Sequence, residues 1–246
     1  MISIILIEPE NEGNVGAIAR AMGNFNLDDL ALVNPKCDHL SKTSMDRAVH
    51  AKDILKDALI KKGSKEQIGS YLKQFDHVIG TTAKLGNDYN ISRVALDPKQ
   101  LAEKIKLIQN AGGKSSKKIA ILFGRECHGL TNEEISLCDF TVTIPSSREY
   151  PTLNLSHACA VILYEIFQAV SDEKEKTNSG IPYAGRTEKR QIEKLLDEIL
   201  KKMVFPAKDK KETQRKVWKR VLGKAVLTRR EAFAVMGFFK KALGRR

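Results

Sequence analysis

The chain has 246 residues, 42% of them hydrophobic, and a formal net charge of +12. That length can bury a sizeable core, as one large domain or as one domain plus a small one. No apolar run approaches the roughly 18 residues of a membrane helix, and the opening ISIILI lacks the basic start and small-residue cleavage site of a signal peptide, so a cytoplasmic protein with no membrane partner is expected.

Five short apolar runs read as buried parallel strands in chain order: ISIILIE, LALVNP, HVIGTT, KIAILFG and FTVTIP. They are nearly continuous in apolar residues, as strands covered on both faces should be. Helical patterns lie around residues 14–24, 65–74 and 98–109, and the apolar stretch 152–170 reads as a buried helix closing the domain. Strand and helix in alternation mean an α/β domain with a parallel sheet. The segment 171–190, SDEKEKTNSGIPYAGRTEKR, is polar and broken by Gly and Pro, and reads as a linker. Beyond it, Ile192, Leu195, Leu196, Ile199 and Met203 recur at helical spacing, Val217, Trp218, Val221 and Leu222 mark a second helix, and Thr228-Arg-Arg-Glu231 opens a third with a capping box. The expected organisation is an α/β domain over 1–170, a linker over 171–190 and a small all-helical module over 191–246.

Charge follows the same division. Residues 1–170 carry 20 Lys and Arg against 20 Asp and Glu, while residues 171–246 carry 22 against 10, so the whole excess sits in the last third. A localised basic block points to a polyanion, most simply nucleic acid; from charge alone, a lysine-rich solvated face reads equally well. The cysteines Cys37, Cys127, Cys138 and Cys159 form no C-x-x-C pair, which suits reduced thiols and no metal site.

Ligands of open α/β sheets bind beyond the carboxyl ends of the strands, and four of these exits are unusual. The first, Glu8-Pro-Glu-Asn-Glu-Gly-Asn-Val-Gly16, lacks the spacing of a dinucleotide fingerprint. HVIG is followed by Thr81-Thr82-Ala83-Lys84. KIAILF is followed by Gly124-Arg-Glu-Cys-His-Gly-Leu-Thr131, whose two glycines lack the Lys-Ser/Thr of a nucleoside-triphosphate loop, and Thr131-x-x-Glu134 is a capping box that starts a helix. FTVTIP is followed by Ser146 to Ser156. Each loop alone is a turn by default, with Gly124 and Gly129 supplying backbone freedom and Asn154 and Ser156 capping the next helix; together, on one sheet edge, they mark a site. His128 and His157 show no nucleophile arrangement to recruit them.

NEGNVGAIARAM, FGRECHGLTNEEI and IPSSREYPTLNLSHACAVILYE, in this order, resemble the three signature motifs of the knotted SPOUT methyltransferases, and the third resembles the TrmJ branch. The resemblance covers roughly residues 2–170; linker and helical module match the branch's layout more weakly. It implies a SPOUT fold with a C-terminal deep trefoil knot, a homodimer whose site combines both subunits, and S-adenosylmethionine as methyl donor. It further implies tRNA as partner, methylated on a ribose 2′-hydroxyl at position 32 of the anticodon loop. The donor is then held, largely through backbone groups, by Thr81, Thr82, Ala83, Gly124, Arg125, Glu126, Gly129, Ile144, Thr152, Leu153 and Asn154. Asn14, Arg20 and Thr152 carry catalysis on the acceptor side, and Arg20, Lys84, Arg148, Lys219, Arg220, Arg229 and Arg230 contact RNA. Arg20 follows Asn14 by six residues, as in the family's first motif, and both are read as facing one groove. A guanidinium keeps its proton to about pH 12, so Arg20 suits a fixed cation at the developing alkoxide better than a literal base. Two positions depart from the pattern: Thr152 stands for the usual serine, and Lys84 for an arginine that often follows T-T-A. Two rivals stay open, an rRNA ribose methyltransferase of the same superfamily and a non-catalytic RNA-binding protein with a knotted fold.

Overall fold

A computed structural model describes residues 1–83, 95–110, 117–171, 182–205 and 208–244. Its strands are β1 (Ile2–Ile7), β2 (Leu30–Val33), β3 (Leu59–Lys61), β4 (His77–Thr81), β5 (Ala95–Leu96), β6 (Ile119–Phe123) and β7 (Phe140–Val142). They form one sheet in the order β3-β2-β1-β6-β4-β7-β5, with every pairing parallel. The helices are α1 (Glu12–Asn24), α2 (Lys42–Ala48), α3 (Lys52–Lys56), α4 (Lys65–Leu72), α5 (Pro98–Asn110), α6 (Asn132–Leu137), α7 (Leu155–Ser171), α8 (Arg186–Lys202), α9 (Lys208–Ala225) and α10 (Arg229–Ala242). The chain divides into two compact units, one built on the sheet and one holding α8–α10.

The sheet is anchored at its centre. All six residues of β1 are buried, as are all five of β6. Burying Ile4, Ile5, Leu6 and Ile7 alone is worth on the order of 10 kcal/mol at the usual transfer free energy per side chain. Helix α1 is capped by Asn11, whose side-chain oxygen accepts from the Asn14 amide, and buries Val15, Ile18, Ala19 and Met22. Gly16 lets it lie against α2, because a Cβ there would stand 2.1 Å from the Ser44 carbonyl oxygen.

Two strands and two helices go beyond the apolar-run reading. β3 and β5 are short edge strands of three and two residues with no fully buried position, so they leave no run to recognise. α2 buries only Ser44 and Ala48, and α3 only Leu55, so neither shows an apolar stripe. Helix α7 departs from the expectation of all-round burial. It buries Leu155, Cys159, Ile162, Leu163 and Ile166, but leaves Val161 and Tyr164 exposed.

In the helical unit, Ile192, Leu195, Leu196 and Leu200 of α8 pack with Ala232, Met236, Phe239 and Leu243 from α10 and its end. Trp218 of α9 meets Phe239 edge-on, with ring centroids 5.9 Å apart. Helix α8 begins at Arg186, inside the stretch read as linker; residues 172–181 of that stretch lie outside the described residues. The reason is a local cap, the Gly185 amide donating to the Glu188 carboxylate at 3.0 Å. Glu188 also receives Arg229 at 2.9 Å. Against burial, which alone would raise it, these hydrogen bonds hold the Glu188 carboxyl below its ordinary pKa.

Candidate active site

The four unusual exits lie side by side because β1, β6, β4 and β7 are consecutive neighbours in the sheet although they are not consecutive in the chain. Three of them enclose one cavity. Its rim is Thr81–Ala83 after β4, Phe123–Leu130 after β6 and Pro151–Leu153 beyond β7. Its floor is apolar, from Val142, Ile144, Leu155, Ala158 and Ile162. Gly124 is needed for the close approach of its loop: a Cβ would fall 2.1 Å from the Gly129 carbonyl carbon and 2.2 Å from the Leu130 nitrogen. Gly129 itself adopts a φ of 65°, the left-handed region that favours glycine.

Charged side chains of the β6 exit are committed to partners. Arg125 donates two parallel hydrogen bonds to Glu134, at 2.9 and 3.0 Å, and a third from Nε to Glu8 at 3.1 Å. Glu8 follows β1 with a φ of 46°. The Arg125 hydrogen bond holds the Glu8 carboxyl below its ordinary pKa, and the Glu134 contact drives the guanidinium's pKa up. Glu134 also closes the capping box of α6, accepting from the Thr131 amide at 2.8 Å while its own amide donates to the Thr131 hydroxyl at 3.2 Å. Such bidentate, charge-assisted pairs are the strong kind. The Arg125 head group thus clamps the β6 exit to the β1 exit and to α6, which leaves the backbone of this exit as the part that faces the cavity.

Glu126 joins the motifs. Its carboxylate accepts from the Glu10 and Asn11 amides, both at 3.1 Å, and from the Asn14 side-chain amide at 3.0 Å. Asn14 in turn accepts from the Asn154 side-chain amide at 3.0 Å. The Asn154 oxygen then caps α7, accepting from the Ser156 amide at 2.9 Å and its hydroxyl at 2.7 Å. One hydrogen-bonded line thus runs from the first motif through the second to the third. Nearby, the Cys37 thiol is pushed up to about 11 by burial and then by the Glu126 and Glu12 carboxylates, which keeps it protonated and unreactive at neutral pH.

The expected site residues fall in distinct places. Thr81, Thr82, Ala83, Gly124, Arg125, Glu126, Gly129, Ile144, Thr152 and Leu153 line the cavity. Asn14 and Asn154 lie in the hydrogen-bonded line beside it. Arg20 is exposed and makes no hydrogen bond or ion pair with the described residues. Six residues leave about 120° between two side chains around a helix; Asn14 turns to Glu126 and Asn154 while Arg20 stands in solvent, and the expected single groove is not made by α1 alone. Lys84 lies outside the described residues. Arg148 is exposed on the β7 exit loop and Arg230 on α10. Arg220, expected to face RNA, is buried with 8% exposure, and the packing of the helical unit corrects that expectation. Arg229 is exposed, and its Nε donates to Glu188. Sequence reasoning missed Leu155, Ala158 and Ile162 as cavity floor, although their spacing on one helix face was a usable signal.

Among the described residues no group of three or more His, Cys, Asp or Glu could hold a metal ion, and no helix is long and apolar enough to cross a membrane.

A parallel α/β sheet with a cavity at adjacent strand exits defines a class, and the comparisons name it. Residues 1–164 match the SpoU rRNA methylase family, and the chain belongs to that family. Its similarity to known members extends through the helical unit. It is 39% identical over 240 residues to the tRNA (cytidine-2′-O-)-methyltransferase TrmJ of Methanocaldococcus jannaschii, covering 98% of this chain and 99% of that one. It is 33% identical to the enzyme of the same name from Sulfolobus acidocaldarius, over 98% and 92% of the two chains. The crystal structure of TrmJ from Z. mobilis ZM4 superposes with a TM-score of 0.66 at 26% identity, over 98% of each chain.

Proposed function

We propose that this chain is a cytoplasmic, S-adenosylmethionine-dependent tRNA ribose 2′-O-methyltransferase that acts as a homodimer at position 32 of the anticodon loop. The observation that carries the reading is the cavity at the β4, β6 and β7 exits, tied by Glu126, Asn14 and Asn154 to the first motif. The full-length likeness to two TrmJ enzymes supports tRNA as substrate. The out-of-order adjacency of β6, β4 and β7 supports the knotted SPOUT arrangement, and the exposed Val161 and Tyr164 on α7 support a subunit contact there. In this reading residues 1–170 form the methyltransferase part and residues 191–246 the tRNA-binding extension.

The cavity suits the donor. Its floor is apolar, Arg125 is paired with the Glu8 and Glu134 carboxylates, and the Glu126 carboxylate is satisfied by three neutral N–H donors. A neutral adenosine group fits such a lining better than a polyphosphate would. Backbone groups of Thr81–Ala83, Gly124–Gly129 and Thr152–Leu153 would hold it. The donor, when bound, supplies a methyl group already activated on its sulfonium. What remains for the protein is alignment. Arg20 keeps its own proton and offers N–H groups to the 2′-oxygen or its neighbouring phosphate, favouring negative charge as it develops. Glu126 and Asn154 fix Asn14 and the ends of two loops, and the apolar floor excludes water from the donor side. Lys84 and Arg148 complete the acceptor side as phosphate contacts.

Incubation with total unmodified tRNA, followed by mass mapping of ribose methylation, tests this. A methyl group at position 32 is expected. The family's name favours a second reading, an rRNA ribose methyltransferase; methylation of ribosomal RNA with tRNA untouched would establish it. No methylation of either leaves a non-catalytic RNA-binding protein.

A further inference from the structure

Helix α10 has two faces of different character. Ala232, Met236, Phe239 and Leu243 are turned into the helical core. The opposite face carries Phe233 at 59% and Phe238 at 69% exposure. Between them lie only Ala234 and Gly237, and a Cβ added at Gly237 would meet nothing within 4 Å. Around them stand Arg230, Lys240 and Lys241, all exposed. Large aromatic side chains in water cost free energy in proportion to their apolar area, so two on the outer side of one helix call for an occupant.

We propose that the outer face of α10 is a base-stacking platform for unpaired nucleotides of an RNA, with Phe233 and Phe238 as the two stacking surfaces and Arg230, Lys240 and Lys241 as the phosphate contacts. It rests on the reading of the chain as an RNA-modifying protein, and adds a mode of contact that charge alone does not supply. Five residues put the two rings about 140° apart around the helix and about 7.5 Å along it. They are therefore two platforms flanking the Ala234–Gly237 strip, each taking one base, rather than a clamp on a single base. Aromatic faces interleaved with cations are what sequence-tolerant binding of single strands requires, since every base has a stacking face and every linkage a phosphate. A second copy of the chain is the other occupant such a face invites. A two-fold contact brings a patch onto itself, and here it would set Arg230, Lys240 and Lys241 against their own copies. Charge complementarity favours the polyanion.

The protein carries one tryptophan, Trp218, and it reports on this face. Its ring meets Phe239 at 5.9 Å, and Phe239 meets Phe238 at 6.0 Å. The full-length chain is titrated with an oligouridylate of about ten nucleotides, within the site sizes usual for single strands, and with an abasic strand of equal length. Tryptophan emission, polarisation of a labelled strand and light scattering are followed together. Trp218 emission is expected to change as the base-bearing strand binds, and that strand is expected to bind roughly ten-fold or more tightly than the abasic one. Phe233→Ala with Phe238→Ala should remove that preference while leaving abasic binding and its salt dependence unchanged. Phe233→Tyr with Phe238→Tyr should restore it. Equal affinity for the two strands in the wild type, an unchanged emission at saturation, or a preference that survives the alanine pair overturns the proposal. Loss of a dimer in the alanine pair assigns the face to a second copy instead. None of these readouts needs methyl transfer, so a failed stacking face is distinguishable from a failed assignment of activity.

Discussion

In the unit built on the sheet, Arg125 uses its head group on two carboxylates, and Glu126 is surrounded by three donors. In the helical unit, Arg230, Lys240 and Lys241 stand in solvent beside exposed phenylalanines. Residues 1–170 balance 20 basic side chains against 20 acidic ones, and residues 171–246 hold the whole surplus. Charge that is paired and half-buried fixes geometry, because removing one partner strands the other. Charge left in water holds nothing in place and remains available to a partner from outside. Arg215, bound to Asp197 at 2.7 Å, and Arg229, bound to Glu188 at 2.9 Å, show that part of the basic block is also spent on internal structure.

Arg20 tests this division most severely, as an unpaired cation on the sheet unit. Arg20→Ala should lower methyl transfer more than about a hundred-fold, the scale of a lost alkoxide-stabilising donor, with S-adenosylmethionine affinity by calorimetry unchanged. A variant keeping more than about a tenth of the rate, under ~1.4 kcal/mol of transition-state stabilisation, removes its central role.

Arg125→Ala and Arg230→Ala contrast the two kinds of arginine directly. The first strands Glu8 and Glu134 and should lower stability by about 2 kcal/mol, less than for a fully buried pair because its site is partly open to water. The second should leave the denaturation midpoint where it is and weaken RNA binding. Equal stability losses would erase the distinction between the units.

A smaller effect is expected from Lys240→Gln with Lys241→Gln in the full chain. The slope of log affinity for tRNA against log salt should become shallower by about 0.7–0.9 for each phosphate contact removed. Donor affinity should not move. An unchanged slope would mean that these lysines serve solubility.

The smallest effect is a pH dependence. The Arg125 hydrogen bond holds the Glu8 carboxyl below its ordinary pKa in the folded state. Its stabilising contribution is therefore complete above the unfolded value and lost as pH falls through the lower folded one. Wild type should lose more stability than Glu8→Gln when pH is lowered through that window. Parallel stability curves for the two would show that the contact to Arg125 is not felt in the folding equilibrium.

Legibility in the sequence follows what is local. β1 and β6 were readable because burial on both faces demands continuous apolar runs. The capping boxes at Thr131 and Thr228 were readable because both partners lie within three residues, and both are formed. β5, two residues long, and α2, with a buried serine at Ser44, carry no such pattern. In the site, residue types at the exits marked a location, but partners did not follow from them. The side-chain partners of Arg125 were not legible, because Glu8, 117 residues away, could not be placed beside it from spacing. Arg220 was assigned to RNA because a lysine-rich helix hides which of its cations is turned inward.

The line from Glu126 through Asn14 to Asn154 joins residues 112 and 140 positions apart. Each strand pair of the sheet is parallel, so none closes through a tight hairpin, and β1 must wait for Ile119 before its Ile2 has a neighbour. Such non-local pairings fold slowly. During synthesis the first motif leaves the ribosome long before the residues that complete its hydrogen bonds exist. A chain stopped short of residue 151 has neither a third wall for the cavity nor the amide that holds Asn14, so occupancy of the cavity reports on whether the last segment has arrived.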